Sequence, residues 1–154
     1  MNTKELLTIL RNMSFLLEVK GDNPFKSRAY SSAADIIEEQ GLDIEALLTS
    51  GTLGDVKGFG KALVTKIAEF ASTGKIAYYE NLTEEVPETI LELRKIPGLG
   101  PKKIGALRTE LAVSSVESLE AACLEHKVAG LKGFGQKSED EILRTISRYH
   151  SGKQ

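Results

Sequence analysis

No tryptophan occurs in this sequence, and phenylalanine and tyrosine bring the aromatic fraction to only 6%. That poverty argues against base stacking on aromatic platforms as a main mode of nucleic-acid binding. Cys123 is the single cysteine, which excludes an internal disulfide and leaves no basis for a cysteine-rich zinc site. The two histidines, His126 and His150, lie far apart and read as surface residues rather than a metal cluster. No apolar run approaches the length of a membrane span, and Lys4, Glu5 and Arg11 interrupt any secretory pattern, so a cytoplasmic protein is the expectation. An excess of basic charge is missing too. Net charge is −2 and the pI about 5.8, which excludes a strongly basic DNA-coating protein and confines any phosphate contact to local patches. The 154 residues suffice for one ordinary domain or two small lobes, and 41% apolar with 27% charged residues suits a folded chain.

What is present is one phrase used three times: Val56-Lys57-Gly58-Phe59-Gly60, Ile96-Pro97-Gly98-Leu99-Gly100 and Leu131-Lys132-Gly133-Phe134-Gly135. Each leads into a helical pattern with an apolar residue seven positions past the second glycine: Ile67, Leu107 and Ile142. The phrase suits a tight turn between helices, the middle apolar residue plugging the space between them. The second glycine opens the next helix, where free N–H groups and the helix dipole favour an anion. Bare backbone there can press against a phosphate, and lysines follow. Other glycine motifs fail. Lys103 stands where a dinucleotide fingerprint needs its third glycine, and Asp55 and Ala62 occupy required P-loop positions.

The remaining pattern is helical, with no convincing strand. Asn2 and Glu5 form an N-terminal capping box ahead of an apolar stripe through Leu6, Leu10, Met13 and Leu17. Asn23-Pro24 caps a second helix expected to carry Phe25, Ala29, Ala33 and Ile36 or Ile37 inward, ended by Gly41. Asp43 caps a short third helix. A helix from about Lys61 to Ser72 stops at Gly74, and a short one carries Tyr78, Tyr79 and Leu82. Thr83 to Pro87 reads as a turn and a lobe boundary, with Pro87 opening a helix through Ile90, Leu91 and Leu93. Ser114 with Glu117 forms a further capping box. Glu139, Asp140 and Glu141 would repel a phosphate, so the third hairpin is expected to be structural. The tail from Ser151 is expected to fray.

Order and spacing of these segments, from about residue 5 to 148, resemble the N-terminal helix-hairpin-helix portion of family X DNA polymerases, the bacterial form above all. The matching residues are Asn23 to Tyr30 before an Ala-rich helix, Gly58-Phe59-Gly60 leading to Lys66-Ile67-Ala68-Glu69-Phe70 and Thr73-Gly74-Lys75, Ile96 to Lys103, and Leu131 to Ile146. The resemblance implies an all-α protein of two lobes: a lyase-like helix-hairpin-helix lobe over residues 1–83, a duplex-binding lobe with two hairpins over 84–150, and a tail at 151–154. It implies sequence-blind contacts to DNA, gapped or nicked duplex above all, as in repair, at Gly58, Gly60, Arg94, Gly98, Gly100, Lys102, Lys103, Gly133 and Gly135. It implies a monovalent cation (Na+ or K+) held by the carbonyls of Arg94, Ile96 and Leu99, with no other cofactor required. No Gly-Ser pair or Asp-x-Asp is present to hold catalytic magnesium, so this chain alone should not polymerise. A polymerase part, separate or C-terminal, is the implied partner; no membrane is, and oligomeric state is left open.

By the same resemblance Lys66 occupies the place of a lyase nucleophile, which forms a Schiff base with an abasic sugar and allows β-elimination of the phosphate. Lys26 and Tyr30 match 5′-phosphate-binding residues, Lys61 is expected to join them on the 5′-phosphate, and Lys75 adds local positive charge. Departures stand beside these matches. Phe25 replaces a phosphate-binding histidine, Ala62 a second phosphate-binding lysine, Thr65 an acidic residue, and Ser31-Ser32 a basic pair. The main reading is a DNA-binding module; its alternatives are a weak abasic-site lyase and a helical protein-interaction module, for which the acidic pI is the main support.

Overall fold

A computed structural model describes residues 1–152, with side-chain environments through residue 150, and among these no strand occurs. Eight α-helices follow in order: α1 (Thr3–Lys20), α2 (Pro24–Gln40), α3 (Ile44–Thr49), α4 (Lys61–Thr73), α5 (Ala77–Glu85), α6 (Pro101–Leu111), α7 (Val116–Leu124) and α8 (Gln136–Gly152). Two 3₁₀ segments, Leu53–Asp55 and Glu88–Lys95, precede the first and second hairpins. The all-α expectation holds.

Local chemistry sets most boundaries. Asn2 Oδ1 accepts from Glu5 N at 3.0 Å, and Asn23 Oδ1 from Phe25 N at 2.8 Å with Pro24 at the first helical position. Asp43 Oδ1 accepts from Ala46 N at 3.1 Å. Gly41 and Gly74 close α2 and α4 in the left-handed conformation. Four expectations shift. Thr83 to Glu85, expected as turn, forms the end of α5. The helix after Pro87 is 3₁₀ rather than α, a short tight coil feeding directly into the hairpin. The capping box before α7 uses Ser115 and Ser118: Ser115 Oγ accepts from Ser118 N at 3.1 Å, and Ser118 Oγ accepts from Ser115 N at 3.0 Å, displacing Ser114 and Glu117 from those roles. α8 continues to Gly152, two residues into the expected frayed tail; residues 153–154 lie outside those described.

Two compact units form. The first comprises Met1–Glu18 with Asp22–Glu85, the second Val19–Gly21 with Val86–Gln154. In the first unit Leu6, Leu10, Met13 and Leu17 of α1 are buried, as are Ile37, Ile67 and Phe70. In the second, Ile90, Leu93, Ile104, Leu107, Leu119 and Ile146 are sealed from solvent. Gly105 of α6 lies against the Val19 carbonyl, so close that a Cβ at 105 would sit 2.6 Å from that oxygen.

Phe25 and Ala29 turn outward, contrary to expectation. The buried positions of α2 are Ser27, Tyr30, Ala33, Ala34 and Ile37, a helical stripe that leaves Phe25 on the first turn outside it. Phe25 is 77% exposed, and the Arg28 guanidinium covers it, with Cζ 5.1 Å from the ring centroid.

Candidate nucleic-acid interface

The three hairpins are built alike, atom for atom along the backbone. In each, the residue two before the first glycine donates its N–H to a carbonyl three residues back: Val56 to Leu53 at 3.2 Å, Ile96 to Leu93 at 3.1 Å, Leu131 to Val128 at 3.1 Å. The apolar plug then closes the turn: Phe59 N to Val56 O at 3.0 Å, Leu99 N to Ile96 O at 3.2 Å, Phe134 N to Leu131 O at 3.0 Å. The first glycine carries the positive φ this turn needs: +93° at Gly58, +85° at Gly98, +87° at Gly133. The carbonyl of the second glycine accepts the first bond of the next helix, from Val64, Ile104 and Glu139.

The two glycines of a pair therefore answer to different demands. Gly60 and Gly100 have φ of −73° and −87°, values any residue adopts. A Cβ added at Gly60, Gly100 or Gly135 would meet no protein atom within 4 Å. Neither backbone strain nor packing requires glycine at these three positions. Around the second hairpin Arg94, Lys95, Lys102 and Lys103 supply positive charge. Lys103 also lies within 5.5 Å of the Phe134 ring centroid, beside a cavity of about 150 Å³ that Leu99, Phe134 and Ile142 help to line. Ile96 O, one of the three carbonyls implied for a cation, accepts from Leu99 N and keeps a second lone pair for such a ligand.

The third hairpin differs at one place. Glu139 occupies the position held by Val64 and Ile104 in the other copies, and it is wholly buried. Oε2 accepts from Ala129 N at 2.7 Å; Oε1 pairs with His126 Nδ1 at 2.8 Å and accepts from Gln136 Nε2 at 3.3 Å. Burial works against ionisation, but the Ala129 amide, His126 and Gln136 outweigh it and hold the carboxyl below the usual glutamate range. Its charge is spent inside the unit, so only Asp140 and Glu141 of the expected acidic trio are exposed. His126, expected as a plain surface histidine, keeps an exposed ring but anchors this network from a left-handed backbone, φ +58°.

A second cluster forms in the first unit. Lys26 on α2 and Lys66 on α4 each place Nζ 5.0 Å from the centroid of the Tyr78 ring on α5. The buried ring of Tyr30 stands 6.2 Å from that of Tyr78. Three residues expected to act together are thus assembled, around a fourth that sequence reasoning placed on a helix without a role. Lys61 stands apart from these ring contacts, exposed at the start of α4. Hydrogen bonding to the Tyr78 phenol raises Lys26 above the ordinary lysine value against a little burial, and Asp22, 3.7 Å away, adds to the rise. Burial pushes Tyr30 up, with Tyr78 adding and Lys26 opposing.

Comparison with known proteins agrees with this architecture. Residues 1–76 match the helix-hairpin-helix domain family, and residues 90–148 match the SAM-like helix-hairpin-helix tandem family. The whole chain is 41% identical over 154 residues to the DNA polymerase/3′-5′ exonuclease PolX of Bacillus subtilis (strain 168), and it spans 26% of that relative's length. Two stretches thus each match a helix-hairpin-helix family, and the chain is similar along its whole length to the N-terminal part of PolX, a family X DNA polymerase.

Proposed function

We propose that this chain binds DNA without regard to sequence, through phosphates, and prefers duplex interrupted by a gap or nick. The observation that carries the reading is the open space at the second glycine of each hairpin. A side chain there would cost the fold little, so what glycine secures is room for something outside the protein. That room faces the N-terminus of a helix, where free N–H groups favour an anion. Lys26, Lys66 and Tyr30 gather at Tyr78 in the other cluster, and that cluster takes the 5′-phosphate at the break. The acidic composition keeps such binding local, so affinity falls with salt at a shallow slope. The chain works as the DNA-holding part beside a polymerase part, as its similarity to one stretch of PolX suggests.

The convergence of Lys66 with Lys26 favours one enzymatic reading as well. The Lys66 amine attacks the C1′ aldehyde of a 5′-terminal abasic sugar and expels water to form an imine. Loss of a C2′ proton then expels the 3′-phosphate as the C3′–O bond breaks. The test uses gapped duplex bearing that sugar phosphate, with borohydride to reduce the imine. An adduct that disappears in Lys66→Ala, while the variant still binds the gap, supports lyase chemistry. No adduct in the parent leaves a binding module. No salt-sensitive binding of gapped duplex would remove both readings in favour of a protein-interaction module.

A further inference from the structure

Two lysines from different helices converge on one aromatic ring, an arrangement that their mutual repulsion opposes. The face of a tyrosine ring is electron-rich and attracts ammonium groups, which offsets that repulsion. The ring is also firmly placed. Glu69 Oε2 on α4 accepts from Ala77 N at 2.9 Å, tying the residue before Tyr78 to the helix that carries Lys66. Asn12 Nδ2 donates to the Tyr79 hydroxyl at 3.2 Å, pinning the residue after it to α1. Tyr30, buried, backs the ring from α2. Tyr78 is thus a fixed support on which two long, flexible cationic side chains rest.

We propose that Tyr78 is a positioning residue that makes this cluster select a terminal phosphomonoester over an internal phosphodiester. The proposal rests on the reading that the cluster takes the 5′-phosphate. A monoester carries a second negative charge and three terminal oxygens, so it rewards two ammonium groups presented together. A diester has one charge and two such oxygens. The ring holds Lys26 and Lys66 as a pair before DNA arrives, and so removes part of the ordering cost of binding. Cation–π attraction is weaker than a charge-assisted hydrogen bond to phosphate, so the amines leave the ring when the dianion enters. Asp22, 3.7 Å from Lys26 Nζ, competes for that lysine until then.

The test compares gapped duplexes ending in 5′-phosphate or 5′-hydroxyl by fluorescence anisotropy, for the parent, Tyr78→Phe and Tyr78→Leu. The parent should prefer the phosphate by roughly tenfold, one charge-assisted contact in an exposed setting. Tyr78→Phe keeps the ring but loses the phenol that hydrogen-bonds Lys26, so its preference should fall between those of the parent and Tyr78→Leu. Tyr78→Leu should reduce it to less than about twofold, since the cation–π support is gone. In parallel, lysines carrying ¹³C-methyl groups are observed by NMR without DNA. Lys26 and Lys66 should show ring-current shifts in the parent and Tyr78→Phe, lost in Tyr78→Leu. A folded Tyr78→Leu with undiminished preference overturns the proposal and leaves the pocket reading standing. A parent that binds both DNAs equally overturns the pocket reading and this proposal with it. Should Tyr78→Leu not fold, Tyr78→Met serves in its place, and unshifted lysine methyls in the parent are refutation enough.

Discussion

Gly98 and Gly100 sit two residues apart in one turn, yet replacing them should damage different properties. At Gly98 the φ of +85° is one that L-residues adopt only with strain, so Gly98→Ala should cost about 1–2 kcal/mol of stability. For a chain of this size that is a fall in Tm of roughly 2–8 °C. At Gly100 the φ of −87° and ψ of 176° suit an N-cap, and no atom lies within 4 Å of an added Cβ. Threonine ranks with glycine as an N-cap, so Gly100→Thr should change stability by no more than about 0.5 kcal/mol. Its side chain should nevertheless hold a phosphate away from the helix N-terminus. Loss of one charge-assisted backbone contact, about 1.5–3 kcal/mol, means a drop in affinity of roughly tenfold or more. Bulk at the second glycine does not strain the turn, because the positive φ belongs to the first. Thermal melts by circular dichroism and anisotropy titrations with gapped duplex would measure both effects. The reasoning fails if Gly100→Thr melts as low as Gly98→Ala, or if it binds gapped duplex like the parent.

Gly135 is as open as Gly100, so Gly135→Thr should also leave Tm unchanged, and any loss of affinity there would assign the third hairpin a share in DNA contact. Gly105→Ala should lower stability by about 1–3 kcal/mol despite alanine's better helix propensity, because its Cβ would lie 2.6 Å from a backbone oxygen that cannot move alone; thermal melts decide. Glu139→Gln should cost about 1–3 kcal/mol at neutral pH. Glu139 titrates lower in the folded protein than unfolded, so its contribution is complete above about pH 4.3 and is lost as pH falls through the folded value. Denaturant titrations should therefore show a flatter acid limb for Glu139→Gln than for the parent, and parallel limbs would refute the role. Binding of gapped duplex should fall with salt at a log–log slope on the order of −2 to −4, and a slope near zero would remove phosphate contact as the mode.

The hairpins were legible in the sequence because their determinants are local: a positive-φ glycine, an apolar plug and a helix start, all within five residues. Caps at Asn23, Asp43 and Gly74 were legible for the same reason. Phe25 was misplaced because apolar character suggested the core, whereas the buried stripe of α2 starts at Ser27 and passes beside it. Lys26, Tyr30 and Lys66 were found through a motif, but Tyr78 was not. Its partners lie 52, 48 and 12 residues back, and no periodicity marks a ring that is only half-buried. Glu139 looked like a solvated acid among acids. Its register, four past the second glycine where Val64 and Ile104 stand, was the available signal that it points inward.

That substitution at one register makes the three hairpins poor interchangeable parts. They share a backbone, which invites treating each as a cassette to be shuffled or duplicated. Moving the second hairpin's helix into the third place would put isoleucine where Glu139 stands and leave the Ala129 amide without its acceptor, together with a histidine that had been anchored there. The reverse exchange would bring a carboxylate into the wholly buried place of Ile104, away from Ala129, His126 and Gln136. A chimera would therefore have to carry residues 126–139 as one block, because connector and helix in this copy are written as a matched pair.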